Sequence, residues 1–253
     1  MEYLVSIGIG AFYSEADLLY QHQGKVYSLG VRNAYAIIKP NNNQVSLRQT
    51  EARKDASMQT VLSMYVTLLS VILAGILNMI FCKSAVMNFA NKPMDGGKYL
   101  RDGKRLFGAN KTWKGFFGMI LFGILSQVIV GWLSRYSSSM EQLNLFYQVE
   151  PNTLRTNTVI GFWLGLAYVV FELPNSWLKR RLNIAPGRTA KDAAKWWFVV
   201  IDQIDSLFGC ALVVASFVSI SLGHYLAFVG LGGVTHIVIN QLLYQLKLRR
   251  NRF

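Results

Sequence analysis

The chain has 253 residues, of which 52% are hydrophobic and only 15% charged. A soluble globular domain carries about 25% charged residues, so this composition, with its positive mean hydropathy, argues against an ordinary soluble enzyme and for a membrane protein. The formal net charge of +13 points to an acidic membrane surface, phosphorylated ligands or nucleic acid. In a membrane protein part of it reflects topology, because cytoplasmic loops collect Lys and Arg, and no nucleic-acid partner is expected.

Residues 1–57 form a polar N-terminal extension without clear helical or strand period. Glu2 ahead of the apolar run Tyr3 to Phe12 makes a poor secretory signal, and Asn41 to Asn43 read as a turn or spacer. The extension is either extracytoplasmic or upstream of a true start at Met58 or Met64; the start at Met58, just before the first apolar run, is the expectation.

From residue 58 onward the chain reads as all-α and polytopic, with about five transmembrane helices. Each needs about 20 apolar residues. The runs are Thr60 to Cys82, Gly115 to Leu133, Thr156 to Leu173, Trp196 to Leu222 and Tyr225 to Leu246. The last two are expected to form a hairpin about a Gly223-His224 tip. Cys82 and Cys210 lie in apolar runs as small buried residues, in neither a zinc spacing nor a disulfide framework.

The connections differ in charge. Lys83 to Lys114 holds eight Lys or Arg, Pro174 to Lys195 six and the tail from Lys247 four, whereas Ser134 to Arg155 holds two. The positive-inside rule then puts the basic loops and the C-terminus in the cytoplasm and the N-terminus outside, in the cell membrane. The alternation of basic and non-basic segments is what five spans require.

Two carboxylates lie within an apolar run, where ionisable groups are costly and usually functional. Asp202 and Asp205, at i and i+3, share a helical face. Side by side they repel, and a hard divalent cation such as magnesium, held jointly with substrate phosphates, relieves both repulsion and desolvation. The alternative is a structural Asp paired with a loop Lys or Arg. In the first loop, Asp102-Gly103-Lys104-Arg105, Gly108 and Lys111-Thr112-Trp113-Lys114 combine glycines, which let backbone approach a phosphate, with cations that neutralise it. A helix starting there offers free N–H groups to an anion. Gly103 and Gly108 have Walker A separation, but Ala109-Asn110 replaces its Lys-Ser/Thr. The bland alternative is a basic loop on anionic head groups. Pro174 is read as opening a surface helix anchored by Trp177, with Glu172 at the span end as a further metal ligand or ion-pair partner. His236 and Asn240 share a face, lining a cavity or making an interhelical hydrogen bond.

Asp102 to Arg105, Gly108, Lys111 to Phe116, Glu172-Leu173-Pro174-Asn175-Ser176 with Lys179-Arg180-Arg181, Asp202-Gln203-Ile204-Asp205-Ser206, and His236 with Asn240 together resemble the signature of the CDP-archaeol synthase family. The resemblance runs from about Thr60 to the C-terminus. That family is similar to the phosphatidate cytidylyltransferases, whose Ser-x-x-Lys-Arg and Asp-x-x-Asp elements match Ser176 to Arg180 and Asp202 to Asp205. The stretch Arg188 to Trp196 lacks the His-Gly-Gly of the bacterial phosphatidate form, and no Arg stands between the acids, which favours the archaeol-type branch.

The resemblance implies transfer of CMP from CTP to a membrane lipid phosphate in the bilayer, of archaetidic or phosphatidic acid type, with release of pyrophosphate. It implies Mg2+ on Asp202 and Asp205, with Lys179 and Arg180 in the catalytic set. The CTP and phosphate-binding set is Asp102, Gly103, Lys104, Arg105, Gly108, Lys111, Thr112, Lys114, Asn175, Ser176 and Arg181, and Glu172, His236 and Asn240 would line the cavity. Two other classes compete. A CDP-alcohol phosphotransferase would carry an Asp-x-x-Asp-Gly-x-x-Ala-Arg run, which is absent; a transporter or lipid-binding scaffold would show repeats and polar residues across several spans.

Overall fold

The structure, a computed structural model, describes residues 17–22, 25–30, 42–186, 188 and 194–247. Thr189 to Asp192, the tail arginines after Lys247 and most of the N-terminal extension lie outside the described residues. The chain divides into two compact units, Met1–Met58 and Gln59–Phe253.

In the first unit, β1 (Asp17–His22) pairs antiparallel with β2 (Lys25–Gly30), with Asp17 opposite Gly30 and His22 opposite Lys25. The sequence showed no strand period there because neither strand alternates cleanly: Leu18, Leu19 and Tyr20 run together, as do Val26 and Tyr27. The expected turn at Asn41 to Asn43 is also corrected, since Asn42 and Asn43 open helix α1 (Asn42–Lys83).

The second unit is helical, as expected. Five helices are long and apolar enough to cross a membrane: Ser57–Lys83 of α1, α2 (Trp113–Ser134), α4 (Leu154–Arg181), α5 (Ala194–Phe217, apolar from Lys195) and α6 (Leu222–Gln245). The protein is a multi-pass membrane protein. Between α2 and α4 lie the short helix α3 (Ser138–Leu143) and a 3-10 turn, Leu145–Gln148. The ends of α1, α4 and α6 and the starts of α2 and α5 lie at one end of the bundle, where Lys83, Thr112, Arg180 and Lys247 border one cavity and Lys179 reaches the Phe198 ring.

Hydroxyl caps set where the helices begin. Thr112, Thr153 and Ser221 each accept a hydrogen bond of 3.2 Å from the backbone N–H three residues on, at Gly115, Thr156 and His224. Each cap satisfies one of the N–H groups a helix start leaves open. The Ser221 cap corrects the expected hairpin tip: Gly223 and His224 belong to the first turn of α6, and the connection is residues 218–221. Pro174 is corrected too. It lies inside α4, which continues to Arg181. Proline removes one N–H and crowds the carbonyl four residues back, but intramembrane helices tolerate it where neighbours re-satisfy the backbone. Glu172, Asn175, Ser176, Lys179 and Arg180 therefore all stand on one continuous helix.

Apolar burial does not drive helices together in lipid, so close backbone approach has to. At the α2–α4 crossing a β-carbon on Gly161 would lie 2.6 Å from Gly123 O, and one on Gly165 would lie 2.6 Å from Met119 O. At the α4–α5 crossing a β-carbon on Gly209 would lie 2.7 Å from Ala167 O. Met64, Leu68 and Val71 of α1 join Phe146, Ile160, Leu164, Val214 and Phe228 in the main core. Trp113, Trp177, Trp196 and Trp197 are exposed toward the basic side, as aromatic rings at a membrane interface are.

Candidate functional site

The first basic loop folds around a carboxylate that the sequence reading gave no role. Asp95, 3% exposed, accepts hydrogen bonds from Arg105 Nη2 at 2.5 Å and Nε at 3.2 Å, and from the backbone N–H groups of Gly97 at 3.0 Å, Phe107 at 3.3 Å and Gly108 at 2.9 Å. Burial pushes this carboxyl up, but the guanidinium and the three N–H groups outweigh it and hold Asp95 well below the usual carboxylate range. Asp95 raises the Arg105 guanidinium in turn. A second ring ties this loop to the end of α4. Arg181 donates to Asp102 Oδ2 at 2.6 Å and to Arg105 O at 2.5 Å, and Lys104 Nζ donates to Arg181 O at 2.5 Å.

One helical turn of α4 faces one helical turn of α5. Asn175 Nδ2 donates to Asp202 Oδ1 and to Asp205 Oδ2, each at 2.7 Å. Lys179, four residues beyond Asn175, pairs with Asp202 Oδ2. Asp205 Oδ1 accepts from Ser206 N at 2.6 Å. The i, i+3 carboxylates thus share a face as their spacing required, and one amide bridges them. Asn175 is 8% exposed and its Oδ1 has no hydrogen-bond partner. The two carboxylates offer oxygen donors of the kind that hard cations take, with substrate oxygens completing the shell. Among the described residues no group of three or more His, Cys, Asp or Glu assembles a metal cage.

These groups line a cavity of about 1180 Å³. Its polar wall holds Lys111, Glu172, Asn175, Lys179, Arg180 and the two aspartates, while Leu68, Val71, Ile72, Ile76 and Met79 of α1 give it an apolar wall. Lys111 Nζ lies 2.5 Å from Glu172 Oε2. Burial pulls the Lys111 ammonium down, but Glu172, with Asp205 and Asp202 behind it, outweighs burial and raises it. Arg180 is 7% exposed, and its Nε and Nη1 have no hydrogen-bond partner. A buried guanidinium without a protein acceptor is costly, and here it borders the cavity. An anion is the group that would satisfy it.

Of the residues selected from sequence, Lys111, Thr112, Glu172, Asn175, Ser176, Lys179, Arg180, Asp202, Asp205, His236 and Asn240 line the cavity. Asp102, Gly103, Lys104, Arg105, Gly108 and Arg181 lie outside its lining; all but Gly103 are engaged in the Asp95 and Arg181 rings or border Arg180. Lys114 is corrected most sharply. It is 1% exposed, with Nζ 2.7 Å from Ser84 O and 4.9 Å from the Phe81 ring centre, so it anchors the loop to α1. His236 and Asn240 both reach the segment between the acids: His236 Nδ1 lies 3.2 Å from Gln203 O, and Asn240 Nδ2 donates to Gln203 Oε1 at 2.7 Å. They thus make the interhelical bonds and line the cavity as well. The sequence reading missed Asn78, which lines the cavity and donates to Gly115 O at 3.2 Å. Its signal was an amide within an apolar span. Cys82, Arg188 and Lys247 also line the cavity.

Fold and site define an intramembrane protein with a two-faced cavity, apolar on one wall and charged on the other. The family model described as CarS-like, CDP-archaeol synthase, matches residues 62–253, and the chain belongs to that family. It is 37% identical over 117 residues to the CDP-archaeol synthase of Pyrococcus furiosus, covering 46% of this chain and 62% of that protein. The chain thus spans less than two thirds of that relative's length. With the CDP-archaeol synthase of Thermococcus gammatolerans it is 30% identical over 163 residues, covering 64% of this chain and 83% of that protein. A solved structure of an intramembrane enzyme for archaeal membrane lipids biosynthesis is similar with a TM-score of 0.47 at 21% identity, covering 70% of this chain and 91% of that one.

Proposed function

We propose that the protein transfers CMP from CTP to a lipid phosphate of archaetidic or phosphatidic acid type, giving a CDP-lipid and pyrophosphate in phospholipid synthesis. The observation that carries this reading is the cavity itself. A bridged carboxylate pair and an unsatisfied buried Arg180 stand on one wall, and lipid-compatible side chains of α1 stand on the other. A phosphate joined to long apolar chains matches both walls, and the triphosphate matches the charged one.

The lipid phosphate oxygen attacks the α-phosphorus of CTP, the bond from that phosphorus to the bridging oxygen breaks, and pyrophosphate leaves. The nucleophile is already anionic, so the protein's work is to bring two polyanions together and offset developing charge. Arg180, Lys179 and Lys111 supply that positive charge from fixed positions. Asn175 holds the carboxylates in register. Magnesium on Asp202 and Asp205 would neutralise triphosphate charge when bound. The apolar wall orients the lipid with its phosphate toward the charged end, and the lipid enters laterally from the bilayer. The basic loops and the C-terminus face the cytoplasm across the cell membrane, where CTP is available, and the N-terminus faces outside.

The test is purified protein in lipid nanodiscs with labelled CTP and magnesium, offered archaetidic and diacyl phosphatidic acids in parallel. A lipid-dependent CDP-lipid supports the reading and names the acceptor. CDP-lipid from neither acceptor, with folded protein, overturns it.

A further inference from the structure

We infer that Lys179 is a resident counter-cation: its ammonium holds Asp202 against divalent metal in the substrate-free site, and a metal enters when a nucleotide phosphate is present to take up the Lys179 charge. This rests on the reading that Asp202 and Asp205 hold a divalent cation.

Three observations lead there. First, every oxygen of the carboxylate pair already has a donor: Asn175 and Lys179 on Asp202, Asn175 and Ser206 N on Asp205. Of these donors only Lys179 carries charge, so it alone repels a cation electrostatically as well as blocking a lone pair. Second, the ammonium hangs on a flexible four-carbon stem, unlike the amide and the backbone N–H, so it can leave without unwinding α5. Its Nζ also lies 5.7 Å from the centre of the Phe198 ring, a second weak cation site within reach. Third, Lys179 lines the same cavity as Arg180 and Lys111, so an ammonium released from Asp202 remains beside the polyanion. Asn175 turns its Nδ2 to both carboxylates and keeps an unpartnered Oδ1 on a nine-tenths buried side chain of that cavity, so polar capacity is left unfilled there.

Exchange of this kind couples the two ligands. Metal alone has to expel Lys179 into a cavity where Glu172 is already paired with Lys111, whereas metal with triphosphate supplies a new anion. Neutralising Lys179 therefore has opposite effects on the two binding events.

The test uses full-length protein in nanodiscs of neutral lipid, with Mn2+ as the probe. Binding of Mn2+ alone is read from the paramagnetic resonance of the free ion, and binding of Mn2+–CTP from retention of labelled CTP with Mn2+ in excess. Lys179→Met, with Lys179→Gln as the second neutral variant, is expected to bind Mn2+ alone about 10-fold more tightly than the native protein and Mn2+–CTP more weakly, within the usual range of coupling between ligands. Lys111→Met removes the same charge from the same cavity but from a lysine paired with Glu172 rather than with Asp202 or Asp205, and is expected to tighten Mn2+ less than the Lys179 variants do. Lys179→Arg is expected to resemble the native protein for Mn2+ alone. Equal Mn2+ affinity in the native protein and both neutral variants, or tightening by Lys111→Met as large as theirs, overturns the proposal. Asp202→Asn separates the two readings. If it abolishes Mn2+ binding while Lys179→Met changes nothing, the exchange alone fails; if it leaves Mn2+ binding intact, the metal reading fails and the exchange with it.

Discussion

The α-carbon of Gly108 lies against the guanidinium of Arg180: a β-carbon built there would sit 3.2 Å from Arg180 Nη1 and 3.1 Å from Pro186 Cγ. Gly108 also has φ +113°, a conformation L side chains rarely adopt. A glycine of the first loop and an arginine of α4 thus occupy one spot, and the loop has to stay bare there for the arginine to reach the cavity. Gly108→Ala is expected to cost about 1–3 kcal/mol of backbone strain. By shifting the loop and the Arg180 guanidinium a few tenths of an ångström it is expected to lower CMP transfer by about 10-fold, less than the roughly 100-fold of a 1 Å misplacement. Steady-state transfer, with helix content checked by circular dichroism, measures this.

Arg180→Ala removes the buried guanidinium itself and is expected to lower kcat/KM at least as far. Arg180→Lys is expected to recover little, because an ammonium cannot reproduce the planar, bidentate fork. Kinetics at varied CTP and varied lipid phosphate will show which substrate's KM rises, and so which anion Arg180 holds.

Asp95 makes the loop sensitive to acid in a defined window. Its folded carboxyl lies below the usual range, so the stability it confers is fully present above the unfolded carboxyl pKa, about 4, and is lost as pH falls below that toward the folded value. Amide exchange over residues 93–112 is expected to be unchanged from neutral pH to about pH 4 after correction for intrinsic exchange rates. In Asp95→Asn, where an amide replaces the buried anion, protection is expected to fall by about 3 kcal/mol between neutral pH and about pH 4, with the difference from the native loop shrinking below that.

The glycine crossing gives a stability prediction separate from chemistry. Gly161→Ala would put a methyl 2.6 Å from Gly123 O and from Ile124 Cα, backbone atoms that cannot swing aside. Gly230, with nothing within 4 Å of a built β-carbon, is the control. Gly161→Ala is expected to cost about 1–3 kcal/mol and Gly230→Ala far less, read as thermal unfolding in one detergent.

What the sequence revealed and what it hid divide along a physical line. Spacing placed Asp202 and Asp205 on one face, and apolar run length gave the five spans, because both depend on helix geometry alone. The partner each charge chooses depends on the tertiary fold. Lys104, Arg105, Lys114 and Arg181 stood in the basic stretches as chemically suitable phosphate ligands, yet Ser84 O captures Lys114, Asp95 captures Arg105, Asp102 with Arg105 O captures Arg181, and Arg181 O captures Lys104. Asp95 escaped notice because its importance lies in five hydrogen bonds that only the folded loop assembles. Pro174 read as a boundary because local propensity argues that way, whereas the bilayer keeps the helix intact.

The most direct measurement is a double-label transfer assay in nanodiscs with the accepted lipid phosphate, using CTP labelled at the α-phosphorus in one reaction and at the γ-phosphorus in the other. Cytidylyl transfer predicts that the α label appears in lipid and the γ label in pyrophosphate, one for one, and that both signals vanish in Asp205→Asn. A γ label appearing in lipid, or an α label reaching lipid undiminished in Asp205→Asn, would contradict attack at the α-phosphorus beside the bridged carboxylates.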